Sequence, residues 1–194
     1  MSKMIRNTLM SLLLFTILTG FIYPLVATGI AQAIFPRRAN GSIIIRDGRP
    51  LGSALLGQQF TDPKYFWGRL SATTPYPYNG GSSSGSNLGP NSPGLMKEVQ
   101  SRVQALREAD PSNRERIPVD LVTSSGSGLD PHISPAATEY QAARVARARG
   151  LDESEVRKLV ASCTEGRQFG ILGEPRVNVL RLNLALDELR KRSR

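Results

Sequence analysis

Apolar residues run almost without a break from Leu9 to Phe35, as LMSLLLFTILTGFIYPLVATGIAQAIF, and no charged residue lies between Arg6 and Arg37. A helix rising 1.5 Å per residue over that length exceeds what the roughly 30 Å hydrocarbon core of a bilayer requires. The pattern predicts a tail at 1–7, a transmembrane helix over 8–35 and one exported domain over 37–194. Two alternatives stand beside a retained anchor. Lys3 and Arg6 resemble the basic start of a secretory signal and Ala31-Gln32-Ala33 its cleavage site, although the apolar core of a signal is only about 7 to 15 residues long. The other alternative is a helix buried in a soluble core. Inside the run, Gly20 and Pro24, with Thr16, Thr19 and Thr28, suit close packing against another helix, and Pro24 is placed to kink the span. Ordinary tolerance of such residues in a span accounts for them equally well.

Beyond the span the pattern shortens. Ser42–Arg46 and Leu51–Leu56 flank Asp47-Gly48, a dipeptide suited to a hairpin turn, and predict two paired strands. From Tyr65 to Pro93 the chain is rich in Gly, Ser, Asn and Pro, yet it holds Tyr65, Phe66, Trp67, Tyr76 and Tyr78. Linkers seldom carry such aromatic content, so an ordered loop is expected. Ser92 and Pro93 then open a helix with Leu95, Met96, Val99, Val103 and Leu106 on one face, ending near Asp110-Pro111. Val119–Thr123 reads as a short strand, and SSGSGLDPHIS as a second loop. Ser134 caps a helix that Gly150 ends, and Asp152 with Glu155 opens another, with Leu151 and Val156 as a staple across the cap. The last run, VNVLRLNLALDEL, fits both periods; helix is preferred, with Asn178 as its cap. The fold class expected is α+β: one transmembrane helix, then a domain with a β-hairpin, long Gly/Ser/Pro loops and several helices.

Composition narrows the chemistry. Cys163 is the sole cysteine and His132 the sole histidine, so a Cys/His zinc cluster and an internal disulfide are both excluded. The net charge of +9 invites a nucleic-acid reading, with Arg144 and Arg147 one helical turn apart and Arg190, Lys191, Arg192 and Arg194 at the end. Acidic residues are interspersed from Asp47 onward, and the terminal cluster complements a helix C-terminus, so no nucleic acid is expected. Ser127, Asp130 and His132 are the residue types of a hydrolytic triad. However, SSGSG is not a nucleophile elbow, and such close spacing cannot align three catalytic groups. Asp130 instead fits an Asx-turn and His132 a locally bonded side chain. No phosphate-binding loop or dinucleotide motif occurs, so no nucleotide site of its own is expected. Positive charge flanks both ends of the span. Orientation therefore rests on the short basic tail, which places the N-terminus in the cytoplasm and the domain outside.

Six blocks taken together carry a resemblance: GSALLGQQF at 52–60, YFWGR at 65–69, SGSNLGP at 84–90, VTSSGSGLDPHISPAA at 122–137, QAARVARARG at 141–150 and GEPRVNVLRLNLALD at 173–187. In this order they resemble the C subunits of the bacterial Kdp potassium-transporting ATPases. Leu70 departs from that family, which usually has proline there, so the local backbone is the point to check. The resemblance implies a non-catalytic accessory subunit, single-pass in the inner membrane with its domain periplasmic. Its partners would be a channel-like A subunit, an ATP-hydrolysing P-type B subunit, a small F subunit and membrane lipid. Such a subunit assembles and stabilises the pump and is proposed to raise the ATP affinity of the B subunit. It needs no catalytic residue, metal or cofactor of its own: potassium is the cargo and ATP is used by the partner. Loop oxygens over 76–92 and 124–134, around Ser86, Asn87, Ser127, Asp130 and His132, would then face the partner or the ion. A free-standing anchored binding module or serine hydrolase is the alternative.

Overall fold

The structure is a computed structural model and describes residues 1–192. It divides into two units, Met1–Leu51 and Gly52–Arg194.

In the first unit, α1 (Ser2–Ile17) and α2 (Tyr23–Ile34) are joined by a π-helical turn, Leu18–Ile22. Pro24 explains the turn, because it lacks an N–H and its ring crowds the carbonyl of Gly20 four residues earlier. The Thr19 hydroxyl, within that turn, donates to the Phe15 carbonyl at 2.6 Å. None of the side chains of Ser2–Ile34 is buried, so the reading as a soluble core helix falls. The helix starts earlier than expected, with Lys3 and Arg6 inside it. A short α3 (Pro36–Ala39) follows, its end secured by reciprocal amide bonds between Gln32 and Asn40 at 3.1 and 3.2 Å.

Strands β1 (Ile43–Arg46) and β2 (Arg49–Ser53) form the expected hairpin. Asp47 and Gly48 have φ of 51° and 74°, so both turn residues are left-handed as a two-residue hairpin requires. Such a tight turn restarts pairing at once. The second strand therefore begins at Arg49 rather than Leu51 and stops at Ser53, whose hydroxyl accepts the Leu55 N–H.

The second unit places helices against a small sheet. Strand β5 (Arg176–Asn178) lies between β3 (His132–Ile133) and β4 (Thr164–Glu165), both antiparallel to it, with Val177 opposite Ile133 and Thr164. Around this sheet pack α5 (Pro135–Arg149), α6 (Glu153–Cys163) and α7 (Val179–Arg192). Their ends follow the sequence signals. Ser134 Oγ accepts the Ala137 N–H, and Gly150 closes α5 at φ 66° while Leu151 N–H returns to the Ala146 carbonyl. Asp152 Oδ1 accepts Ser154 N–H, with Val156 buried and Leu151 packed on the core. Asn178 Oδ1 accepts the Arg181 N–H, so Asn178 does cap the last helix.

Three expectations change. Val119–Thr123 is not a strand: Val119–Leu121 is a 3₁₀ turn, because Leu121 and Val122 donate back to Pro118 and Val119, and Asp120 is tied to the Ser134 N–H at 2.7 Å. The final run is divided, its first two residues, Val177 and Asn178, pairing in β5 before the helix begins at Val179. Helix α4 (Pro93–Ala109) starts at Ser92 as expected, but no side-chain bond from Ser92 caps it. Its apolar stripe is mostly half-exposed, with only Leu106 buried. The side chains of Arg190, Lys191, Arg192 and Arg194 lie outside the described residues.

Candidate functional site: two interlocked loops

The aromatic start of the first loop is core, not surface. Phe66 is wholly buried, and both of its backbone polar groups are matched by Asn183, which accepts the Phe66 N–H at 2.9 Å and donates to its carbonyl at 3.0 Å. Gln141 does the same for Trp67, at 2.8 and 3.2 Å. Arg144, itself buried, donates to the carbonyls of Pro63 and Tyr65 and to Gln141 Oε1. Its guanidinium lies 4.6 Å from the centre of the Trp67 ring, with Arg102 at 5.2 Å. Burial pulls the Arg144 pKa down to about 10. Side chains thus stand in for the strand partners that an irregular buried segment lacks.

From this anchor the two Gly/Ser loops lock together. Ser125 N–H donates to the Leu70 carbonyl, and Leu70 forms a parallel bridge with Ser124, so the backbone at the position where proline is expected is tied to the second loop. Ser71 Oγ donates to the Gly128 carbonyl at 2.7 Å. Ser84 N–H and Ser83 Oγ both donate to the Ser127 carbonyl, each at 3.0 Å. The glycines explain the composition. A Cβ on Gly85 would stand 2.7 Å from the Gly126 carbonyl oxygen, and one on Gly128, at φ 67°, 2.5 Å from that of Ser84. Neither approach tolerates a side chain.

Asp130 joins the second loop to the anchor. Its Oδ1 accepts His132 N–H at 3.0 Å, the expected Asx-turn, and lies 3.3 Å from His132 Nδ1; its Oδ2 is 3.3 Å from Arg69 Nη1. Burial alone would raise the Asp130 pKa, but the His132 hydrogen bonds and the Arg69 charge outweigh it and hold the carboxyl below its ordinary value. Arg69 also donates to the Ser124 carbonyl, and Tyr78 donates to the Arg69 carbonyl at 2.5 Å. Burial pushes the Tyr78 hydroxyl up to about 12, so it remains a donor.

Of the residues expected to face a partner or ion, Ser127, Asp130 and His132 thus share one loop. Ser127 Oγ is turned onto that loop, accepting the Leu129 N–H at 3.1 Å, and His132 is spent on Asp130. Ser86 is half-buried and Asn87 exposed just past the contact at Gly85, with Asn87 at φ 53°. Gly20 and Pro24 belong to the first unit. Among the described residues no group of His, Cys, Asp or Glu converges as metal ligands do. A groove of about 480 Å³ runs between the loops and α4, lined by Leu70, Ser71, Lys97, Arg102 and Ser124.

Sequence reading missed Arg69, Gln141, Arg144 and Asn183. Asn183 carried a signal, since it stands polar at a core-facing position of α7, one turn from Val179 and Leu186. Arg144 stands in the sequence as a nucleic-acid candidate beside Arg147, whereas the structure buries it against residues 63–67.

Compared with known proteins, residues 5–188 match the family model KdpC, described as K+-transporting ATPase, c chain. The potassium-transporting ATPase KdpC subunit of Methylococcus capsulatus is 63% identical over 95% of this chain and 97% of its own length. That of Sorangium cellulosum is also 63% identical, over 96% and 98%, and that of Polaromonas naphthalenivorans 60%, over 98% and 97%.

Proposed function

This chain belongs to the KdpC family of K+-transporting ATPase c chains, and from that premise we propose that it is the non-catalytic subunit that assembles and stabilises an ATP-driven potassium importer. The observation that carries the reading is how the site's chemistry is spent. Ser127, Asp130, His132 and Arg69 bond to backbone and to one another, which makes the loop pair a stiff surface rather than a reaction centre. Such a surface suits a role in holding other subunits.

In this reading the apolar helix is kept as a single-pass anchor in the inner membrane, with the N-terminus cytoplasmic and the domain from residue 37 periplasmic. Gly20 and Pro24 pack against neighbouring helices, the π-turn supplying the close approach. The partners are the channel-like A, P-type B and small F subunits. Oxygens of Ser86, Asn87 and the 124–134 loop face the A subunit where potassium enters. ATP is bound and hydrolysed by the B subunit. Any rise in its ATP affinity crosses from an external domain as a coupling free energy through the span or the partners.

Co-purification tests the reading. The tagged chain, expressed with the pump genes, should bring down the other subunits, and the complex should hydrolyse ATP in response to potassium. The chain alone should release phosphate only at background, since it has neither a P-loop nor the phosphorylation signature of a P-type ATPase. Turnover by the isolated chain, or a chain that purifies alone, would refute it.

A further inference from the structure

Between β4 and β5 the chain makes a second hairpin that none of these roles uses. Its stem is clamped by charge: Arg167 Nη2 reaches both carboxylate oxygens of Glu174 at 2.8 Å, and Glu165 takes Arg176 at 3.2 Å and Arg181 at 3.3 Å. Its tip is held by backbone. Gln168 N–H and Leu172 N–H donate across it to each other's carbonyls at 2.8 and 2.9 Å, and Gly170 N–H donates to Arg167. The reversal is taken by Phe169 at φ 55° and Gly170 at φ 79°.

This rigid tip presents Phe169, Ile171 and Leu172 at 85%, 74% and 55% exposure. Apart from the half-exposed stripe of α4, large apolar side chains elsewhere among the described residues of the second unit are exposed singly, as at Leu55 and Val119. A phenylalanine held at positive φ costs the domain backbone strain and, with its ring in solvent, returns it no burial, so its use lies outside the fold.

Resting on the reading of this chain as a pump subunit, the geometry points to the hairpin as a docking finger whose Phe169, Ile171 and Leu172 fill an apolar cleft on another subunit of the pump. The charges favour protein over lipid. Across 164–176 the acids Glu165 and Glu174 balance the bases Arg167 and Arg176, and all four are engaged in pairs. The hairpin therefore lacks the excess of cations that draws a segment to anionic headgroups. Its one bridge, Gln168 with Leu172, is too short an edge for strand addition by a second copy. A neutral tip fixed before contact gives up little freedom on entering a shaped pocket.

The test uses the full chain in the purified pump. A photo-crosslinking amino acid, p-benzoylphenylalanine, is placed at Phe169, the complex is irradiated in lipid nanodiscs, and adducts are identified by mass spectrometry. The expected product joins this chain to another pump subunit. In parallel, a Phe169→Ser, Ile171→Ser double variant should retain at least tenfold less of the partners on washing, with its melting temperature unchanged, while Val119→Ser retains them all. An adduct with lipid only or with a second copy, or no adduct at all, overturns the finger while leaving the subunit reading intact. If the unsubstituted chain captures no pump subunit, the subunit reading itself fails, and the finger falls with it.

Discussion

The interlocked loops and the 165–176 hairpin are both short of regular structure, yet they treat their side chains in opposite ways. In the loops the side chains of Ser71, Thr73, Asn79, Ser83, Ser127 and Asp130 are turned onto backbone, and the apolar residues Phe66 and Trp67 that lead into them are sealed in the core. In the hairpin the charged groups pair with one another at the surface of the stem and the apolar ones at the tip face outward. Irregular backbone therefore says little about use; what distinguishes the two is which class of atom is left for others to touch.

The largest effect expected is at the root of the loops. Phe66→Ala should cost about 3–5 kcal/mol in denaturant unfolding, since it empties a fully buried ring site. A cost near zero would mean that the loops are not anchored as described. Next is Gly128→Ala, which forces a Cβ into the Ser84 carbonyl at a left-handed position. It should destabilise by about 1–3 kcal/mol, and amide exchange over 83–85 should quicken while that of 168–172 does not change.

A pH series separates the regions more finely. The Asp130 carboxyl titrates below its unfolded value, near 3.9, so the stability it contributes is complete above that value and disappears as pH falls through the lower folded pKa. The melting temperature of the wild type should exceed that of Asp130→Asn at pH 7, and the gap should close on acidification. A gap that widened instead would contradict the assigned partners. The smallest effect expected is at the hairpin tip, where Phe169→Ser should shift unfolding by less than about 0.5 kcal/mol. A large loss there would show that the ring serves the fold and would erase the contrast between the two regions.

Elements announced by local chemistry were legible from the sequence. Asp47-Gly48, Ser134 with Gly150, Asp152 and Asn178 each act through neighbours a few residues away, so one chain's sequence is enough to read them. Pairings across long stretches were not legible. Thr164 and Glu165 take their strand character from Val177 and Arg176, more than ten positions off, and Val119–Thr123 is a turn because the carbonyls of Pro118 and Val119 and the Asp120–Ser134 bond take its polar groups. The site followed the same division. The Asx-turn of Asp130 with His132 was readable, whereas Asn183, Gln141 and Arg144 act on residues 63–67, far away in sequence. The glycines at 85 and 128 can be counted in the sequence, but their need for a bare Cα comes from the contact between the loops.

Trp67 is the chain's only tryptophan. Two guanidinium groups lie against its ring, and its indole N–H donates to the Asp62 carbonyl at 3.1 Å. The protein therefore carries a single indole at the joint between core and loops, and with excitation to the red of tyrosine absorption its emission reports one location without labelling. Release of the 62–67 segment would move that emission to the red while the helical circular dichroism stayed constant, which makes the loosening of the loop surface optically separable from the unfolding of the helices beneath it.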